Sequence, residues 1–320
     1  MKKYLFILVV SLILLPVTGC KQRAVAPATT TDKVVIYASF YPLYDFAFKI
    51  GGHRVEVVNM VPAGVEPHDW EPGPRLIADL HSADILVYNG FGFEPWVERI
   101  AAGLGNRPLL VDASDGITPI TGYHHCNGHD HDDCDPDHTD YDHHYDLPDP
   151  HVWLDPLLAL QQGENILHAL VTVDPANEQY YRSNFDLFRD KLERLDADYR
   201  NALTNLSRRE FVVTHLSFDY LARRYGLVQL GISGLSPHSE PTAAQMKDIV
   251  DFVRSHNIRY IFKEPLASPR LVRTLAEESG AQILTINPLE GLSEEDLAGG
   301  KDYFSIMSEN LEQLLIALGE

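Results

Sequence analysis

From Lys33 onward the chain alternates short runs rich in β-formers with segments whose apolar residues recur at three-and-four spacing. Residues 34–40 form a β-rich run, 41–50 carry aromatic and aliphatic residues at helical spacing, and 54–60 alternate polar with apolar positions. Strand, helix and strand in that order predict a βαβ unit and therefore a parallel sheet. The pattern continues with a helix holding Leu76, Ile77 and Leu80, a strand over 84–89, a helix around Trp96 to Ile100 and a strand over 108–112. After a polar stretch at 123–148, Asp155 before Pro156 reads as an N-cap with proline in the first turn, and Asp174-Pro175 repeats the device. The helix opened by that second pair is long. Its apolar residues Tyr181, Phe185, Phe188, Leu192, Leu195, Tyr199, Leu203 and Leu206 span roughly 45 Å at the α-helical rise, which suits a rigid connector. Beyond Ser207 the alternation resumes, with strands over 211–214, 227–231, 258–262 and 282–286 and helices over 218–225, 242–256, 269–279 and 303–318. The expected fold class is α/β, with two lobes that each carry a four-stranded parallel sheet flanked by helices. The lobes are expected at 33–173 and 208–320, with the connecting helix at 174–207.

Composition sharpens this picture. A chain of 320 residues with 45% hydrophobic content can bury two separate cores. Its formal net charge of -20 argues against nucleic acid and anionic membrane surfaces and favours cationic partners. The first residues stand apart from the fold. Met1-Lys2-Lys3 is basic, 4–17 is apolar, and small residues lead to Cys20, so 1–19 reads as an export signal too short for a membrane span. Val17-Thr18-Gly19-Cys20 resembles the lipobox of bacterial lipoproteins, which implies cleavage before Cys20 and a lipid on its thiol. An ordinary cleaved signal with an incidental cysteine is the alternative. Residues 20–32, with alanine, proline and three threonines, form a tether. The expected location is extracytoplasmic and membrane-anchored, periplasmic or at the cell surface. Disulfides persist there, and the remaining cysteines, Cys126 and Cys134, both fall in the polar stretch. A disulfide between them and a zinc ion shared by two thiolates with nearby histidines both remain open.

That stretch reads YHHCNGHDHDDCDPDHTDYDHHYDLPDPHVWLDP from Tyr123 to Pro156. Its histidines His124, His125, His129, His131, His138, His143 and His144 have the composition of a metal-binding tract, yet follow no structural period. They form an auxiliary pool of ligands, the plain alternative being a solvated acidic loop. His151 differs because Pro150, Trp153 and the Asp155-Pro156 helix start give it a defined setting. Ligands of open parallel sheets bind beyond the carboxyl ends of the strands. Three histidines fall there: His68 after the second strand, His151 after the fourth, and His215 directly after 211–214. If the two sheets face each other, these residues meet in an interdomain cleft. Three imidazoles suit Zn²⁺, whereas Mn²⁺ calls for more carboxylate oxygen. Asn287, Glu264, Glu66, water or a residue of the histidine-rich stretch could fill a fourth position. His53, His81, His168, His238 and His256 read as exposed or structurally satisfied.

The segments EPHDWEPGP, DPHVWLDP, VTH, GLSPHSEPT and FKEP, with TINPL beyond, resemble the zinc-specific branch of metal-binding solute-binding lipoproteins of ABC importers. The resemblance covers essentially the whole mature chain. It implies two α/β lobes on one long helix, a metal between them, and a monomer that delivers it to a membrane permease with its ATPase. On motif match, His68, His151 and His215 correspond to the family's three histidine ligands. The third is commonly a carboxylate in the manganese-type relatives, so His215 favours zinc. The family often has aspartate where this chain has Asn287, which leaves the fourth ligand open. Zinc-type members carry a similar charged loop, thought to collect zinc or sense its supply. The expected role is a zinc-binding receptor and not an enzyme. Two other readings compete with it. A zinc hydrolase also uses three histidines with a bound water, and Glu66 or Glu264 could then act as base, although no HExxH pair is present. A metal-buffering or adhesive surface lipoprotein is the other.

Overall fold

In the computed structural model, which describes residues 33–121, 148–239 and 241–319, the alternating runs become two parallel sheets. Cys20, Cys126, Cys134, the export signal, the tether and the seven clustered histidines lie outside the described residues. The first sheet contains β1 (Val34–Ala38), β2 (Val55–Asn59), β3 (Ile85–Tyr88) and β4 (Leu109–Asp112) in the order β2-β1-β3-β4. The second repeats that order as β6-β5-β7-β8, from β5 (Glu210–His215), β6 (Val228–Ser233), β7 (Tyr260–Lys263) and β8 (Gln282–Thr285). Every pairing is parallel. In each sheet the connections run opposite ways from the central pair, which opens a crevice at the carboxyl ends of β1 and β3, and of β5 and β7.

Local chemistry sets the helix boundaries. α1 (Tyr41–Gly51), α2 (Pro74–Asp79), α3 (Pro95–Leu104) and α4 (Pro156–Val173) all begin with proline in the first turn, where its missing N–H leaves nothing unpaired. Asp155 caps α4 as expected, accepting from the backbone N–H groups of Leu157 and Leu158 at 2.8 and 3.3 Å. Asp174 does not repeat the device. Its carboxylate accepts from Tyr181 Oη and Asn177 Nδ2, each at 2.7 Å, and a 3-10 turn over Pro175–Asn177 leads into α5 (Glu178–Leu203). The second lobe adds α6 (Asp219–Tyr225), α7 (Ala243–Ser255) and α8 (Arg270–Ser279). Ser293 caps the short α9 (Glu294–Ala298), which the hydrophobic pattern does not announce because it has no buried face. α10 (Tyr303–Leu318) closes the chain behind a capping box of Asp302 and Ser305.

α5 is 26 residues long and buries the predicted stripe from Tyr181 to Leu203, while Leu206 lies past its end and is half-buried. It packs on α4, α1 and α10. One hydrophobic core therefore runs unbroken from Ile36 and Phe46, along this stripe, to Phe211 and Phe262 of the second sheet. The outer faces of the sheets carry smaller cores, around Leu86 and Trp96 in one and Ile249, Ile261 and Val272 in the other. Sheets covered on both faces in this way account for the continuously apolar runs of β1 and β3 at the centre of the first sheet. α10 also ties the lobes together. It packs on β5 and β8, while its first residue, Tyr303, donates from Oη to Trp153 O at 2.6 Å and meets Phe46 edge-on.

The α4–α5 contact is close enough to need glycine. A Cβ on Gly163 of α4 would lie 2.6 Å from Cε1 of the buried Phe188 of α5, whereas one on Gly103 of α3 would meet nothing within 4 Å. Overpacking costs about 1–3 kcal/mol, and replacing glycine by alanine in a helix returns up to about 1 kcal/mol. Gly163→Ala is therefore expected to destabilise the protein by about 1–2 kcal/mol in urea titration, and Gly103→Ala to stabilise it by up to about 1 kcal/mol. Equal signs for the two would contradict this packing.

Candidate metal centre

The three sequence-predicted histidines come from three strand-end segments and meet in the cleft. His68 lies in the loop between β2 and α2, where its backbone N–H donates to Glu66 Oε1 at 3.0 Å. His151 immediately precedes a 3-10 turn over Val152–Leu154, and both its backbone N–H (2.9 Å) and its ring Nδ1 (2.7 Å) reach Asp149 Oδ1. His215 is the last residue of β5. Its backbone N–H reaches Glu264 Oε1 at 3.2 Å, and its Nδ1 lies 2.7 Å from Glu264 Oε2. A carboxylate oxygen accepts, so Nδ1 of both rings carries a hydrogen, and once Nε2 gives up its proton it presents a lone pair to the cleft. Carboxylates behind the rings thus aim the opposite nitrogens inward.

Those nitrogens converge on one carboxylate oxygen. Glu290 Oε1 lies 3.0 Å from His68 Nε2, 3.0 Å from His215 Nε2 and 3.3 Å from His151 Nε2. His151 Nε2 is in turn 3.3 Å from His68 Nε2 and 3.4 Å from His215 Nε2. A protonated ring can donate from Nε2 to Glu290, but one oxygen within 3.0–3.3 Å of three ring nitrogens, with His151 Nε2 also 3.3 and 3.4 Å from the other two, is the packing of ligands around a common centre. Zn–N bonds of about 2.0–2.1 Å in a tetrahedron place ligand atoms about 3.3–3.4 Å apart. Five of the six separations among the four donors, at 3.0–3.4 Å, lie at or just under that spacing. Among the described residues it is the group of metal-competent side chains whose ligand atoms all lie within 4.8 Å of one another. His68 keeps 10% side-chain exposure against 3% or less for the other three, so the cluster opens to solvent on the His68 side. Phe93 covers the His68 ring edge-on at 4.9 Å, and Trp153 lies against His151 at 5.2 Å.

Neither Asn287 nor Glu264 enters the cluster. Glu264 stands behind His215, while Asn287 shapes the loop that carries Glu290. Asn287 Oδ1 accepts from Leu289 N at 2.8 Å, and its backbone N–H and C=O bond the side chain of Asn310 at 2.8 and 2.7 Å. Across the cleft, Trp153 Nε1 donates to Pro288 O at 2.7 Å. This framing holds Leu289 at φ 60, a left-handed conformation that costs a branched residue about 1–3 kcal/mol. Strained backbone next to Glu290 is tolerated because the bonds on either side over-determine it. Reading the sequence alone passes over Glu290; the available signal was its place three residues beyond Asn287 in the same strand-end loop.

The charges within the cluster oppose one another strongly. Burial pulls the His215 pKa down, but the Glu264 and Glu290 carboxylates outweigh it and hold the ring well above the usual imidazole range. His151 is likewise raised, Asp149 overcoming the effect of burial. For His68 burial prevails and the pKa is lowered, with Glu290 offsetting only part of it. Burial disfavours the Glu290 anion, yet His215 and His68 keep it well below the carboxylate range. Glu66, buried beside the Glu290 charge, is pushed up to about 7.

Two α/β lobes on one long helix, with three histidines and a carboxylate buried between them, define a metal-binding protein of the cleft type. Comparison with known proteins gives the family. A family model described as zinc-uptake complex component A, periplasmic, matches residues 36–317, and the chain belongs to that family. It is 37% identical over 311 residues to the high-affinity zinc uptake system protein ZnuA of Bacillus subtilis, across 97% of this chain and 95% of that protein. It is 34% identical over 313 residues to the zinc-binding lipoprotein AdcA of Streptococcus pneumoniae, across 98% of this chain and 60% of that longer protein. The crystal structure of the Zn(II)-bound ZnuA-like domain of that AdcA superposes with a TM-score of 0.75 at 32% identity, over 90% of this chain and 100% of the other.

An opposite charge within about 4–6 Å moves a pKa by about 1–3 units. Glu290→Gln is therefore expected to lower the His215 ring pKa by about one unit or more in metal-free protein followed by NMR. An unchanged His215 titration would contradict the assigned charge balance.

Proposed function

We propose that this chain is an extracytoplasmic receptor that captures Zn²⁺ between its lobes and delivers it to the permease of an ABC importer driven by its ATPase. His68, His151, His215 and Glu290 would hold the ion, with Asp149 and Glu264 orienting two of the imidazoles. The observation that carries this reading is the convergence of four buried protein donors, five of whose six separations are 3.0–3.4 Å, near the edge length of a zinc tetrahedron. With Glu290 at the fourth corner no position is left for a reacting water, and catalytic zinc needs such a position. That favours sequestration of a transported ion over hydrolysis. Lipid on Cys20 would hold the receptor at the membrane as a monomer, and the histidine-rich stretch would serve as a collecting pool.

Each lobe, 33–173 and 208–320 in this reading, supplies two donors. A small shift of one lobe along the connector at 174–207 therefore breaks half of the coordination sphere, which is how the ion would leave for the permease. Alanine at His68, His151 and His215 together is expected to abolish tight zinc binding in competitive titration, whereas deleting 124–144 removes only weaker, additional equivalents. Tight binding that survives the triple substitution, or that disappears with the stretch, would contradict the assignment.

Zinc must displace the protons held by the cluster. The His215 pKa is raised, so its proton competes at higher pH than an ordinary imidazole with pKa near 6.5 would allow; His151 behaves likewise, and His68, lowered, competes last. Affinity is thus expected to be full at alkaline pH, to begin falling above about 6.5, and to fall more steeply below it as further imidazoles protonate. Isothermal titration across this range checks the sign. Affinity that is constant from pH 8 to pH 6 would contradict a histidine site.

A further inference from the structure

Asp149, the carboxylate behind His151, is itself held from the other lobe. Its backbone N–H donates to Ile120 O at 2.8 Å, and its carbonyl accepts from Tyr220 Oη at 2.8 Å. The same hydroxyl accepts from the backbone N–H of Ile120 at 3.0 Å. Tyr220, Asp149 and Ile120 therefore close a ring of three hydrogen bonds that crosses between the lobes. Tyr220 stands in the first turn of α6, five residues past His215. The chain between them is tightly turned, Ser217 N donating to His215 O at 2.9 Å and Phe218 N to Gln229 Oε1 at 2.9 Å. The tyrosine ring is buried with Ile117 and with Val152, the residue after His151. One turn further along α6, Arg224 Nε pairs with Oδ1 of Asp155, the cap of α4. One helix of the second lobe thus grips both ends of the segment 149–155, with His151 between them.

Phenylalanine would serve the packing at this place equally well, because the ring supplies the apolar contacts. The hydroxyl does something else. Its hydrogen and its lone pair are both spent on backbone groups that decide where the Asp149 carboxylate points. One oxygen of that carboxylate takes the backbone N–H of His151 at 2.9 Å and its Nδ1 at 2.7 Å, so a shift of Asp149 passes directly to the imidazole. His215 is oriented instead by Glu264, which follows β7 and lies outside this ring of bonds. We propose that Tyr220 is a positioning residue of the metal centre, fixing Asp149, and through it the His151 imidazole, from across the cleft. Separation of the lobes and loss of the His151 orientation are then one event, and the hydroxyl sets how long the ion stays. The inference rests on the receptor function above.

The test compares the full chain with its Tyr220→Phe variant by two readouts. The first is solvent exchange of the His151 and His215 Nδ1–H protons, followed by NMR in zinc-loaded protein with labelled histidine. Losing a hydrogen bond whose buried partners are left unpaired corresponds to about tenfold in an equilibrium. The His151 proton is expected to exchange about tenfold faster, while the His215 proton keeps its rate. The second is stopped-flow kinetics, in which Zn²⁺ release to a chromophoric chelator is expected to quicken by about tenfold and uptake to change far less. A hydroxyl with a merely structural role would lower stability in urea and move neither readout. That result, equal acceleration of both protons, or unchanged release would overturn the proposal. Failure of the unsubstituted chain to bind Zn²⁺ tightly would instead overturn the receptor reading on which it rests.

Discussion

The constraint on which the site depends is the neutralisation of buried imidazoles by carboxylates at strand ends. Polar and ionisable groups removed from water are destabilising unless paired. His151 and His215 are fully buried, and each is matched from behind, by Asp149 and Glu264, before Glu290 meets both from the front. The rear carboxylates fix which nitrogen carries hydrogen, and Glu290 holds the opposite nitrogens at coordination spacing. An ion that enters replaces shared protons in a frame already assembled. Preorganisation of this kind reduces what binding must spend on ordering side chains.

That frame persists only because the lobes keep their relative position. The apolar stripe of α5 belongs to one core spanning both sheets, and α10 returns from the second lobe to bond Trp153 of the first. Trp153 is two residues from His151 and also donates to Pro288, two residues before Glu290. One indole therefore couples a donor of the first lobe to a donor of the second. The strained Leu289 between Pro288 and Glu290 makes that loop a place where a modest change of lobe position alters the ligand set.

Periodicity made the architecture legible. Eight strands, their alternation with helices and the buried stripe of α5 follow from apolar spacing, because sheets covered on both faces keep their central strands apolar and α5 confines its apolar residues to one line of an otherwise charged helix. His68, His151 and His215 were legible because each sits at a strand end or helix start. Glu290 was harder to see. A carboxylate in a loop looks like any solvated one, and what sets it apart is the turn built by Asn287, Asn310 and Trp153, residues separated from it by 3, 20 and 137 positions in sequence. The roles of Asp149 and Glu264 were hidden for the same reason, since orientation of a ring nitrogen is a tertiary property. Asp174 looked like a second Asp155, yet a tyrosine hydroxyl one turn into the helix took its carboxylate instead.

The central claim is that one tightly held zinc ion sits among three imidazoles and one carboxylate. X-ray absorption at the zinc edge, on protein carrying a single equivalent of Zn²⁺, tests it most directly. The account predicts a four-coordinate shell of nitrogen and oxygen at about 2.0–2.2 Å with the outer-shell signature of imidazole. A sulfur shell at about 2.3 Å would place the ion with Cys126 and Cys134, and a six-coordinate oxygen shell would place it on exposed carboxylates; either result would contradict the account.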